Sequence, residues 1–178
     1  MKEIVKFIKE GLKITAKTKV NERPKYDTNV NYHPNTKREL HKLINQLIEE
    51  RGNEGDFNDI DVSKITDMSE LFKGMKKFNG DISKWDVSNV TKMSYMFDEC
   101  KSFNQPLNNW DVSNVTKMSY MFYECELFNQ PLNNWDVSNV TNMSGIFFKC
   151  KSFNQNISNW DVSKGIQTNF MFENCIIE

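Results

Sequence analysis

Cys100, Cys125, Cys150 and Cys175 stand at a fixed interval of 25 residues and are the four cysteines of a 178-residue chain. Thiols can ligate zinc, attack as nucleophiles or form disulfides. A structural zinc site needs ligands converging on a tetrahedron, commonly from C-x-x-C pairs, and the sequence has no such pair. If the chain coils once every 25 residues, the thiols form a column with neighbours about 5 Å apart, the spacing of adjacent strands. A column of that kind suits buried, reduced thiols. Met75 holds the same slot one interval earlier, so the slot asks for apolar volume. Disulfides between neighbours fit on Cα distance, but a reducing cytosol disfavours them. The expectation is no metal and no cofactor.

A second column holds carboxylates: Asp61, Asp86, Asp111, Asp136 and Asp161. Calcium wants several oxygen ligands converging in one loop, whereas each interval supplies one Asp. The expected role is to accept local N–H groups in a turn. Asn79, Asn104, Asn129 and Asn154 form a third column, suited to satisfying loop backbone from coil to coil. Ser88, Ser113 and Ser138 recur with no base beside them in sequence. The two histidines, His33 and His41, both precede the repeats. No G-x-S-x-G, Walker loop, H-E-x-x-H or dinucleotide fingerprint occurs. The chain is read as having no catalytic residues and as not being an enzyme.

The element that must position these columns is a repeat. Residues 85–109, 110–134 and 135–159 are near copies, with a weaker copy at 60–84 and a truncated one from 160. Trp85, Trp110, Trp135 and Trp160 share one slot. Phe72, Phe97, Phe122, Phe147 and Phe172 share another, and Phe78, Phe103, Phe128 and Phe153 a third. A strict period means identical units that bury their apolar faces jointly, as in a solenoid. Within one unit Val115, Met118, Met121, Phe122 and Cys125 fall at helical or 3₁₀ spacing after Ser113, an N-cap candidate. A short strand is expected at 128–132, in a sheet kept narrow by Pro106 and Pro131. The 23 asparagines argue against a plain helical bundle.

The unit V-x-x-M-x-x-M-F-x-x-C-x-x-F-N, followed by W-D-V-S, resembles the BspA-like leucine-rich-repeat family over about residues 58–178. The resemblance implies a right-handed α/β leucine-rich-repeat solenoid with short strands and short helical or 3₁₀ segments. It also implies a protein-binding or adhesive role, in a family of bacterial and mycoplasmal surface lipoproteins.

Ahead of the repeats, Leu40, Leu43, Ile44, Leu47 and Ile48 make an amphipathic stripe. Thr36 and Glu39 read as a capping box and Gly52 as the stop. A helix over about 36–51 should seal the first coil. The expected organisation is 1–57, a basic segment with a capping helix, and 58–178, a solenoid of about 4.75 repeats. Residues 1–50 carry net charge +4 and the remainder −5, for −1 overall. That balance argues against a surface built wholly for nucleic acid. The N-terminus lacks a continuous apolar core and an early Cys, and no run reaches 18 apolar residues. A cytoplasmic protein without membrane contact is expected.

What remains is recognition. Slots that differ among the copies are free to meet a partner: Tyr95 and Tyr120, opposite Gly145, and Tyr123 and Phe148, opposite Asp98 and Glu173. Exposed aromatics are interface anchors. Lys2, Lys6, Lys9 and Lys13 could meet an acidic partner or nucleic acid. The last copy is degraded and ends on apolar Ile176 and Ile177. Either it is itself a cap, or that end meets a partner or a second copy in a homodimer. The reading is a non-enzymatic module that binds another protein by surface recognition or occlusion, of which a phage-type inhibitor of a host protein is one case. The alternatives are a BspA-like surface adhesin and a nucleic-acid-associated protein using the basic N-terminus.

Overall fold

The structure, a computed structural model, describes residues 30–162 and 166–175. Its one named helix among them, α1 (Lys37–Arg51), has Thr36 as N-cap, the hydroxyl accepting from the Glu39 amide. The Glu39 carboxylate reaches back to the Asn35 amide, one residue before the cap. Gly52 ends the helix at φ 81°, a conformation that glycine adopts without strain. Leu40, Leu43, Ile44 and Leu47 are buried.

After α1, each 25-residue unit lies in register on the next. Parallel bridges join Asp67 to Lys92, Lys92 to Lys117, Lys117 to Asn142 and Asn142 to Gln167. From each bridge the chain runs through overlapping turns. In one unit the amides of Met121, Tyr123 and Cys125 donate to the carbonyls of Met118, Tyr120 and Phe122. The amides between them reach into the following unit. Met118, Tyr120, Phe122 and Glu124 donate to the carbonyls of Asn142, Ser144, Ile146 and Phe148 at 2.8–3.0 Å. The same alternation recurs at 68–74, 93–99 and 143–149.

This pattern replaces the helical segment expected at 115–125. Tyr120 and Glu124 have φ 55°, and their counterparts Tyr95, Glu99, Gly145 and Lys149 lie at 59–61°. Positive φ at the third residue of a turn is what a type II turn demands, and it ends any right-handed helix. No strand forms at 128–132 either. Side chains make the links there. The amides of Asn104, Asn129 and Asn154 donate to the carboxamide oxygens of Asn79, Asn104 and Asn129 at 2.9–3.0 Å. Pro106 and Pro131 are exposed, where a missing N–H costs nothing.

The core is a set of ring columns. Phe72, Phe97, Phe122 and Phe147 stack at 5.3–5.8 Å within 6° of parallel. Phe78, Phe103, Phe128 and Phe153 stack at 6.0–6.1 Å. The indoles of Trp85, Trp110, Trp135 and Trp160 each donate to a carbonyl 28 residues earlier, at 2.9–3.2 Å. Fully burying one such side chain is worth about 1.5–3 kcal/mol. The hydrogen bonds fix the register in which the rings meet.

At the N-terminal edge the carbonyls of Ser69 and Leu71 have no preceding unit. In later units the corresponding carbonyls, Ser94 and Met96, accept from Glu70 and Phe72. Here α1 supplies the donors. Lys37 Nζ reaches Ser69 O at 3.1 Å, and His41 Nδ1 lies 2.9 Å from Leu71 O, a contact in which the ring nitrogen must donate. Arg51 adds a two-pronged pair with Asp59 at 2.7 and 2.9 Å. That contact raises the guanidinium pKa and, against the effect of burial, lowers that of the carboxylate.

Candidate partner-binding face

The reactive groups are occupied in structural roles. The thiols of Cys100, Cys125 and Cys150 are buried, unpaired with one another, and donate to the carbonyls of Phe72, Phe97 and Phe122. Burial pushes their pKa values well up, so the thiolate needed for attack or metal binding is suppressed. Four of the five turn aspartates accept from the amide two residues on: Asp61 from Ser63, Asp86 from Ser88, Asp111 from Ser113 and Asp136 from Ser138. The hydroxyls of Ser88 and Ser113 donate to the same Asp oxygens at 2.6 Å. His33 pairs with Asp61 at 3.2 Å and His41 caps Leu71. Among the described residues no group of three His, Cys, Asp or Glu side chains is placed to hold a metal ion. No helix among them is long and apolar enough to cross a membrane.

The variable aromatic slots come together on one face. Tyr95 stacks on Tyr120 with centroids 5.2 Å apart. Tyr120 meets Tyr123 edge-on at 5.9 Å, and Tyr123 stacks on Phe148 at 5.4 Å. All four are half-buried, and each is packed against at least one other ring of the group. Two lysines that sequence reading did not single out pin the ends. Lys73 Nζ sits 4.9 Å above the Tyr95 ring; Lys149 Nζ is 5.4 Å from the centroid of Tyr123 and 5.6 Å from that of Phe148. Cation–π contacts of this kind are worth about 0.5–1 kcal/mol at exposed sites.

Gly145 makes the arrangement sterically feasible. A Cβ there would lie 2.4 Å from Tyr120 Cε1, so the missing side chain is the space the Tyr120 ring occupies. The signal was present in the sequence, since Gly145 and Gly74 fall in the slots where other copies carry Tyr or Glu at positive φ.

Charge borders the rings. Lys149 bonds Glu124 at 2.6 Å, which lowers the Glu124 pKa. Glu126 is held between Lys101 and Lys151 at 2.7 and 3.0 Å, and its pKa falls to about 2. Asp98 stands in the slot of Tyr123 with its side chain only 8% exposed. Its Oδ1 has no hydrogen-bond partner among the described residues, and burial raises its pKa although Lys73 lies 3.1 Å away. Lys2, Lys6, Lys9, Lys13, Ile176 and Ile177 lie outside the described residues.

Residues 40–144 and 107–176 match the model of a family described as "Mycoplasma protein of unknown function, DUF285". The chain belongs to the DUF285 family. At this coarse level its likeness to BspA-type mycoplasmal repeat proteins stands. The match begins inside α1 and runs through the repeats, so it takes in the whole aromatic face of this DUF285 chain. No curated protein and no solved structure matches it.

Proposed function

We propose that this DUF285 chain is a non-enzymatic protein-binding module, a right-handed solenoid of leucine-rich-repeat type that acts by surface recognition or occlusion within the cell. The observation that carries the reading is the pre-stacked strip of Tyr95, Tyr120, Tyr123 and Phe148. Rings held in place before binding lose little side-chain entropy on meeting a partner. Half-buried Tyr and Phe offer apolar area with a polar rim, the composition of interface hot spots. The 25-residue ladder supports the repeat-solenoid reading, because it holds the strip on backbone that is hydrogen-bonded from unit to unit.

A surface adhesin would use the same strip, and that second reading is the one the resemblance to BspA-like proteins implies. Localisation in the source cell separates the two.

The test is affinity for a partner identified by capture and then titrated in purified form. Tyr120→Ser/Tyr123→Ser should weaken binding by about 30-fold or more, the loss expected of one or two hot-spot residues. Lys117→Ala, an exposed position, should leave it unchanged. Equal affinity for a folded double variant would overturn the assignment of this face.

A further inference from the structure

Asp98 stands in a slot that suits a different kind of side chain. The same slot of the next two units holds Tyr123 and Phe148, rings that stack on each other and need no charge partner. The Asp98 side chain is only 8% exposed, and its Oδ1 has no hydrogen-bond partner among the described residues. A buried carboxylate oxygen without a donor works against stability. Side chains that break the rules of a core in this way belong most often to functional sites.

The surroundings define what satisfies it. Asp98 Oδ2 meets Lys73 Nζ at 3.1 Å, and the same ammonium lies 4.9 Å over the Tyr95 ring. Stacking on Tyr120 holds that ring in place. Lys73 is therefore a cation seated between a carboxylate and an aromatic face, but it leaves one of the two oxygens unserved. A guanidinium is planar and carries five donors in a fixed fork. It meets both oxygens of a carboxylate at once and stacks on an aromatic face. Lys73 is free to give way. Its side chain is 45% exposed, and Glu70 Oε2 lies 3.8 Å from its Nζ, ready to receive the displaced ammonium.

We infer that Asp98 and Tyr95 form a guanidinium-binding site, held in the free chain by Lys73, and that the protein bound by the aromatic strip fills it with an arginine. The inference rests on the strip as the recognition surface and names the partner's chemistry at its Tyr95 end. An arginine of this chain, tethered near the site, would compete at high effective concentration and displace the ammonium. The group in contact is Lys73, which leaves the seat to an arginine arriving with the partner.

The probe is N-acetyl-arginine amide, titrated into the isotope-labelled full chain and followed through the backbone amide signals of Tyr95, Asp98 and Glu99. Binding should saturate and be at least about tenfold tighter than that of N-acetyl-lysine amide, which has no fork. Lys73→Ala clears the seat and should tighten arginine binding about threefold or more, a gain that loose attraction to surface carboxylates does not produce. Asp98→Asn should weaken it at least about tenfold. Against the purified partner, Asp98→Asn should cost about tenfold in affinity. Changing the partner's arginines to lysine one at a time should reproduce that loss at one position and add nothing to Asp98→Asn. The proposal is overturned if the arginine and lysine amides bind alike, or if a folded Asp98→Asn chain binds arginine amide as wild type does. It is also overturned if arginine amide binds only after Arg23→Lys/Arg38→Lys, because the chain's own arginine then fills the site. The amide titration needs no partner, so failure of the strip as recognition surface is seen separately. Partner affinity is then untouched by Tyr120→Ser/Tyr123→Ser while the amide still binds.

Discussion

Trp110→Ala removes the side chain on which the stacking of units can be weighed. The indole is 3% exposed, lies 6.5 Å from Trp85 and within 1° of parallel to it, and sits 6.4 Å from Phe97. Its Nε1 donates to Ile82 O at 3.2 Å. Truncating a buried Trp costs about 3–5 kcal/mol through lost transfer energy and the cavity left behind. Abandoning the Ile82 carbonyl adds about 1 kcal/mol. In a chain of this size each kcal/mol lowers Tm by roughly 2–4 °C, so the expected fall is roughly 10–20 °C. Trp110→Phe keeps a ring and should recover most of the loss, leaving the share that belongs to the hydrogen bond. Trp160→Ala acts on the last Trp of the column, 6% exposed and stacked on Trp135 at 6.1 Å. It should cost about half as much, because stability in a stacked array is a sum of neighbour interfaces. Urea and thermal melts followed by circular dichroism measure all three. A Trp110→Ala Tm within about 2 °C of wild type, or equal losses at 110 and 160, would refute the reasoning.

Gly145→Ala places a Cβ in the space of the Tyr120 ring, at a residue with φ 61°. It should cost about 1–3 kcal/mol and break the Tyr95–Tyr120 stack, seen as a change in near-ultraviolet circular dichroism. Asp98 carries a pKa raised in the folded state, so its carboxylate opposes folding at neutral pH. That opposition disappears as pH falls through the folded value toward the unfolded one. Asp98→Asn should therefore raise the urea midpoint at pH 7 and leave it nearly unchanged at pH 3. The thiols should divide by position: half-buried Cys175 reacts with a disulfide reagent in the native state, and Cys100, Cys125 and Cys150 react only on unfolding.

Much of this architecture could be read from residue types and spacing. The Trp, Phe and Cys slots are the buried ones because units that share a register share an interior. Thr36, Glu39 and Gly52 mark the ends of α1 because capping is local chemistry. The turn run at 115–125 reads as helical in the sequence for a physical reason. Its apolar residues recur at intervals of three and four, and so do those of a chain of overlapping turns. Tyr120 and Glu124 have no intrinsic liking for positive φ, and the inter-unit hydrogen bonds hold them there. Gly74, Gly145 and Asn174, residue types that accept positive φ, stand in those slots of other copies and betray the conformation. Of the aromatic face, the variable slots named Tyr95, Tyr120, Tyr123 and Phe148. Lys73 and Lys149 escaped notice because their role depends on side chains 22 to 26 residues away.

The central claim, that the aromatic strip is the recognition surface, is tested most directly by site-specific photo-crosslinking. A photoreactive phenylalanine analogue is placed at Phe148, within the strip, or at Lys117, an exposed site off the strip. Each labelled chain is then irradiated in the source cell. The account predicts one partner protein joined from position 148 and not from 117, with the adduct lost when Tyr120→Ser/Tyr123→Ser is added. Equal yields of that partner from both positions, or an adduct at 148 that survives the double change, would contradict it.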